Sequence, residues 1–219
     1  MRRNRTGVWL TLVMAAALIS ATAVASGGEA ESAVGDRRHD HSAHQRAAAA
    51  ATAGEASYVK KLTDFDTPNV TLVGRNGEEQ ALVALLDSDT PVMLNFIFTS
   101  CTTICPVMTS TFVEVEKQLG SEREQVQMVS ISIDPEYDTP SRLAEYASAR
   151  GAGEPWAFLT GDAASIRRTQ VAFDAYRGNK MNHIPMTFLR ADSHEPWLRI
   201  DGFAAASDIV REYRGLTTQ

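Results

Sequence analysis

The chain is poor in three things: it has only two cysteines in 219 residues, it has no excess of positive charge, and from Ser26 to Ser57 it has almost no large apolar residue. The charge balance, 21 Lys+Arg against 27 Asp+Glu for a net −6, removes the electrostatic case for binding nucleic acid or an anionic membrane surface. An apolar fraction of 44% is ordinary for a globular protein and excludes both a disordered chain and a multispan membrane protein. With no third cysteine, a metal site built on Cys101 and Cys105 has to find any further ligand among other residue types. A peroxidase of the peroxiredoxin type is disfavoured, because no lone peroxidatic cysteine with an arginine partner is evident.

What is present begins with an export pattern. Arg2, Arg3 and Arg5 precede an apolar run from Val8 to Ile19, and small residues end it at Ala23-Val24-Ala25. Cleavage after Ala25 fits a signal peptide. Residues Gly7 to Ala25 also carry no charge and are just long enough to span a bilayer as a retained anchor. Either alternative puts the rest outside the cytoplasm, in the periplasm or tethered to the inner membrane, where a cysteine pair can be a disulfide, a redox couple or a metal site. Residues 26–57 read as a flexible linker of Ala, Gly, Glu, Ser and His. That linker holds His39, His41 and His44, a spacing that could chelate a transition metal but also suits a solvated tract. Residues 58–219 form the folded domain.

Within that domain Val70–Val73, a turn at Gly74–Gly77 and Gln80–Val83 predict a hairpin. Val92–Phe98 is apolar almost throughout and predicts a central strand covered on both faces. From Ile104 the spacing turns helical, with Val107, Met108, Phe112, Val115 and Leu119 placed on one face and Gly120 ending it. Val126–Ile133 predicts a second buried strand, Pro140–Gly151 a helix, and Trp156–Leu159 a short strand. A helix over Asp162–Tyr176, with Ile166, Val171 and Phe173 on its apolar side, strands at Met186–Arg190 and Trp197–Ile200, and a last helix from Ser207 complete the series. This order predicts α/β architecture with a mixed central sheet whose middle strands are parallel.

Cys101 and Cys105 stand between the central strand and the long helix. An i, i+4 spacing in a first helical turn lets both sulfurs face one cavity, and a helix N-terminus favours thiolate. A purely structural disulfide would close a loop of only a few residues and gain little. Two thiolates can hold Cu(I), but Cu(II) needs a third ligand. His183, in Asn182-His183-Ile184-Pro185-Met186, is the best candidate. Pro185 before a predicted strand suggests the cis-proline that thioredoxin-like folds place beside a redox pair, which would bring His183 to the cysteine loop. Met108, Met181 and Met186 are soft donors better explained as core. Asp134 is read equally as an acceptor behind the site and as the end of a strand. Two Cys and one His would also bind Zn(II).

Several motifs in order, Phe98-Thr99-Ser100-Cys101-Thr102-Thr103-Ile104-Cys105-Pro106, Ser132-Ile133-Asp134-Pro135-Glu136-Tyr137-Asp138-Thr139-Pro140, Phe158-Leu159-Thr160-Gly161 and His183, resemble the SCO/SenC family. The resemblance implies a thioredoxin-like fold and an exported, often membrane-anchored copper protein. It implies copper on Cys101, Cys105 and His183, with Cys101 and Cys105 paired as a disulfide when oxidised. It also implies delivery to the copper-bearing subunit of cytochrome c oxidase or another copper client. The alternative is a thiol–disulfide oxidoreductase that uses Cys101 and Cys105 on the cysteines of such a client. The chain departs from the family pattern in having Thr102 and Thr103, with no acidic residue, between the cysteines, and in Pro185.

Overall fold

The structure, a computed structural model, describes residues 58–218. The export pattern at 1–25, the linker at 26–57 with His39, His41 and His44, and Gln219 lie outside the described residues. The chain enters through strand β1 (Tyr58–Thr63), the hairpin β2 (Thr71–Gly74) and β3 (Glu79–Ala81), and a short helix α1 (Leu82–Leu86). Next come β4 (Val92–Ile97), the long helix α2 (Ile104–Leu119), β5 (Gln127–Ser132), α3 (Pro140–Arg150) and β6 (Ala157–Thr160). Helix α4 (Ala163–Ala172), strands β7 (Met186–Arg190) and β8 (Trp197–Gly202), and helix α5 (Ala206–Thr217) follow.

The strands form one mixed sheet in the order β1-β8-β7-β4-β5-β6-β2-β3. β4, β5 and β6 are parallel, as the alternation with helices predicts. β7 runs antiparallel to β4, β8 to β7, and β1 to β8. All six residues of β4 are buried, because both faces of the sheet are covered. Their alternation divides them between two cores. Met93 and Ile97 join Phe112, Val115, Trp156 and Ile209 on the side of α2, α3 and α5. Val92, Leu94 and Phe96 join Leu72, Ile166, Phe188 and Trp197 on the opposite side.

Helix α2 buries Cys105, Met108, Phe112, Val115 and Leu119, a spacing of three and four that makes one continuous stripe. Val107 falls outside that stripe and is 49% exposed, against the expectation that it shares the face. Val171 on α4 is likewise exposed, while Ile166 and Phe173 are buried as expected. Helix α3 starts where the sequence puts it. Thr139 caps it by accepting the Arg142 N–H, Pro140 opens the first turn, and Gly151 at φ 71° ends it.

Three further differences matter. β1 is an edge strand whose residues are mostly exposed, so it leaves no apolar alternation to read. The return strand of the hairpin stops at Ala81, since Leu82 and Leu86 turn into α1 and bury there. The cis peptide bond found among the described residues is Glu154–Pro155, so the bond before Pro185 is trans and the cis-proline expectation fails.

Candidate metal centre

Pairing between β4 and β7 is what brings distant residues together. Antiparallel register sets Asn95 opposite Thr187, so the chain just before β7 runs alongside the chain just after β4. The first stretch carries His183 and the second carries Cys101. No cis bond is needed for this; the register suffices.

The loop after β4 is fixed by a buried carboxylate. Asp138, fully buried, accepts from the Thr99 N–H at 3.0 Å, from the Thr99 hydroxyl at 2.5 Å and from the Ser132 hydroxyl at 2.6 Å. It thus ties the ends of β4 and β5 to the entry of α3. From Thr99 the chain turns back, with the Cys101 N–H donating to the Phe98 carbonyl at 3.2 Å.

Each sulfur then takes a backbone donor. Thr103, at the cap of α2, makes no side-chain hydrogen bond to the first turn; its hydroxyl lies 3.8 Å from Cys101 Sγ. The Cys105 N–H, otherwise an orphan of the first turn, donates instead to Cys101 Sγ at 3.4 Å. The Phe98 N–H donates to Cys105 Sγ at 3.3 Å. His183 Nε2 lies 3.4 Å from Cys105 Sγ, and its Nδ1 is 2.9 Å from the Lys180 carbonyl. A carbonyl only accepts, so Nδ1 carries the proton and Nε2 presents a lone pair to the sulfurs. Phe98 packs edge-on against the imidazole at 5.0 Å between centroids. Lys180 also pairs with Asp134 and lies over the Phe98 ring.

The donor atoms of Cys101, Cys105 and His183 all lie within 4.8 Å of one another, and all three residues are buried. Ligands held at about 2.0–2.3 Å from one ion stand roughly 3.5–4 Å apart. The triad therefore fits a small ion with a modest closing of Cys101. Both cysteines are free thiols.

The two thiols differ electrostatically. Burial acts to raise the pKa of Cys101, but hydrogen bonds to its sulfur, chiefly from the Cys105 and Thr103 N–H groups, outweigh it and hold the thiol below its ordinary value. Burial pushes Cys105 far up, the Phe98 N–H opposes this only partly, and negative charge on Cys101 and Asp138 adds to it. Burial also lowers His183, against the Lys180 hydrogen bond, which keeps the ring neutral and able to bind a metal.

Every residue of the sequence-derived triad is in the cluster. Of the soft donors considered with it, Met108 and Met186 are buried in the core as expected, whereas Met181 is 73% exposed. Asp134 does stand behind the site, reaching it through Lys180. Asp138, Lys180 and Phe98 are the residues sequence reasoning passed over, although Phe98 opens the first motif and Asp138 lies within the second. A cleft of about 780 Å³ lined by Arg75, Gln127, Ser148 and Trp156 includes none of the triad.

The SCO1/SenC family model matches residues 69–217. The chain belongs to the SCO1/SenC family. It is 33% identical over 104 residues to the SCO1 protein homolog of Bacillus subtilis, a match covering 47% of this chain and 53% of that protein. The chain thus spans about half the length of that relative. Among solved structures it is similar to BsSco, a member of the Sco family of cytochrome c oxidase assembly proteins in which a disulfide switch was identified. That likeness has 26% identity and a TM-score of 0.61, and covers 73% of this chain and 98% of BsSco. Bradyrhizobium japonicum ScoI with copper bound shares the fold at 22% identity and a TM-score of 0.56, covering 68% of this chain and 98% of ScoI. The fold is therefore the thioredoxin-like one of the Sco proteins, a mixed sheet flanked by helices, with the hairpin β2–β3 at one edge.

Proposed function

We propose that this SCO1/SenC protein is a copper carrier: it holds one copper through Cys101, Cys105 and His183 and passes it to the copper-bearing subunit of cytochrome c oxidase, or to another copper client, during assembly. The single observation that carries the reading is the convergence of two thiol sulfurs and an imidazole Nε2 within 4.8 Å, from segments about eighty residues apart. Copper is chosen over zinc because two thiolates form a soft donor pair that suits Cu(I), with the imidazole available for Cu(II). The copper-bound ScoI relative and the assembly role of the Sco family are in keeping with it. Release proceeds by ligand exchange, and loading requires both thiols reduced and deprotonated.

Residues 1–25 are proposed to export the protein or tether it to the inner membrane, residues 26–57 to act as a linker, and residues 58–219 to work outside the cytoplasm. Among the described residues no helix is long and apolar enough to cross a membrane.

The test is copper content of the reduced protein loaded with Cu(I). The wild type is expected to retain one equivalent, and Cys101→Ser, Cys105→Ser and His183→Ala to lose most of it. Retention at the wild-type level in all three variants would falsify the assignment.

A second reading has its own support in the unequal thiols. A lowered Cys101 beside a raised Cys105 is the arrangement of an attacking and a resolving cysteine, and BsSco contains a disulfide switch. In this reading the pair reduces a client's cysteines, becoming the Cys101–Cys105 disulfide as the client disulfide opens to two thiols. Disulfide-reductase activity that survives His183→Ala but is lost with either cysteine would favour it over copper carriage.

A further inference from the structure

A small cavity of about 80 Å³ borders the segment that carries His183. Its wall includes Gln170 from α4, then Tyr176, Arg177, Asn179 and Lys180 from the chain that follows, and His183 itself, but neither cysteine. It is a space beside the triad, separate from the metal-binding sulfurs. At roughly 30 Å³ per water it has room for two or three waters or one small ion, far below the ~300 Å³ that a drug-sized ligand occupies.

The wall is one-sided in charge. Arg177 and Lys180 both contribute to it, and no carboxylate does. Lys180 is paired with Asp134. Arg177 is the less satisfied cation. Its Nη1 donates to the Tyr176 carbonyl at 3.0 Å, while Asp174, held by Arg199 at 2.8 Å, reaches it only at 3.5 Å. Its Nε and Nη2 have no acceptor among the described residues.

Two side-chain amides complete the set. Gln170 is only 7% exposed, yet its amide makes no hydrogen bond among the described residues. Native proteins seldom leave a buried amide without a partner, because the lost hydration is not repaid. Asn179 spends its Oδ1 on the Met181 N–H at 2.9 Å, which leaves Nδ2 to donate. A guanidinium and two primary amides around one small cavity suit a planar acceptor with two oxygens better than a spherical halide.

We propose that this cavity is a carboxylate site, which takes either a free carboxylate about the size of formate or the acidic side chain of a partner protein. The site needs no copper and is independent of the copper reading of the triad. Because Lys180 and His183 belong to its wall and the Lys180 carbonyl orients the His183 ring, occupancy is coupled to the placement of the imidazole, in both directions.

The test uses the full chain, reduced, metal-free and isotope-labelled, titrated with sodium formate at constant ionic strength. The NMR signals of the Gln170 side-chain amide and the His183 ring are expected to shift along a saturating curve. Arg177→Gln and Gln170→Leu are each expected to weaken the binding by about tenfold or more, through loss of a hydrogen bond between the protein and a charged group. Arg177 is partly exposed, so its variant serves as the test where the buried Gln170 variant fails to fold. A shift that grows without saturating, or that saturates equally in Arg177→Gln, marks an adventitious ion only and overturns the site. Saturation at Gln170 with His183 unmoved overturns the coupling. A second titration uses the capped peptide acetyl-Gly-Glu-Gly-amide. Saturation by peptide and formate alike assigns the ligand to a partner's acidic side chain, and saturation by formate alone assigns it to a free carboxylate.

Discussion

The imidazole of His183 presents Nε2 to the sulfurs because its Nδ1–H is held at 2.9 Å by the Lys180 carbonyl, and Lys180 is anchored in turn by Asp134. Asp134 acts on the His183 ring by way of Lys180, whose carbonyl holds Nδ1; it positions the turn that presents the ring. Replacing a residue of this kind lowers metal affinity by about 10–100-fold in well-studied sites. Asp134→Ala is therefore expected to weaken copper retention by about tenfold, with the thermal midpoint of the metal-free protein close to wild type. Competition against a Cu(I) chelator measures the first and calorimetry the second. Lys180→Met should behave the same way, and the double variant should add little to either. A loss of affinity matched by a general loss of stability would mean that Asp134 only holds the fold. At this scale the triad was legible, since Cys101, Cys105 and His183 are chemically distinctive and sit beside a strand end. Lys180 was not legible, because it acts on His183 through its backbone carbonyl, which every residue has. Asp138 stood in the sequence only as one residue of the Ser132–Pro140 motif; nothing in its spacing reveals that it is fully buried and shared by Thr99 and Ser132.

Helix α4 shows how a single cap sets an element and its response to pH. Asp162 Oδ1 accepts from the Ala164 and Ser165 N–H groups, both at 2.9 Å, which satisfies two orphan donors of the first turn. The Ser165 side chain, hydrogen-bonded to the carboxylate, and then the Ser165 and Ala164 N–H groups hold its carboxyl below the usual carboxylate range. A depressed folded-state pKa means that the unfolded chain binds the proton more readily. The contribution is complete above the unfolded value, about 3.9, and is lost as the pH falls through the folded one. Asp162→Asn, which caps without titrating, is expected to flatten the loss of thermal stability between pH 5 and pH 3 (roughly the window around that carboxylate value) while staying near wild type at pH 7. Circular dichroism melts at the two pH limits measure it, and an unchanged acid slope would remove Asp162 from the account. The buried elements β4, β5, α2 and α3 were all legible, through apolar runs, 3.6-residue spacing and the Thr139-Pro140 and Gly151 boundaries. β1 escaped because its pairing with β8 is made by backbone hydrogen bonds while most of its side chains after Tyr58 face solvent. Val107 and Val171 were misplaced because an apolar residue near a stripe is not thereby in it.

Across the whole domain, the three donors come from the loop after β4, the first turn of α2 and the segment before β7. They meet through the pairing of β4 with β7, with Cys101 and Cys105 packed into the core on the side of α2, α3 and α5. An unfolded chain has no such cluster, so an ion bound by the triad adds its binding free energy to folding. At free Cu(I) a hundredfold above the dissociation constant the gain is about 2.7 kcal/mol. For a domain of this size that corresponds to a rise in thermal midpoint of roughly 5–10 °C. The full reduced chain is expected to show this shift by calorimetry, and prior oxidation of Cys101 and Cys105 to a disulfide should abolish it by removing both thiolates. His39, His41 and His44 supply the internal control. A solvated tract that captured copper would raise the copper bound per chain without stabilising the domain, because it binds equally well when the domain is unfolded. Replacing all three histidines by alanine should therefore leave the midpoint shift intact, whereas Cys105→Ser should erase it. A shift that survives Cys105→Ser and vanishes with the histidines would place the stabilising copper on the tract, and the buried triad would have to be read as a redox pair.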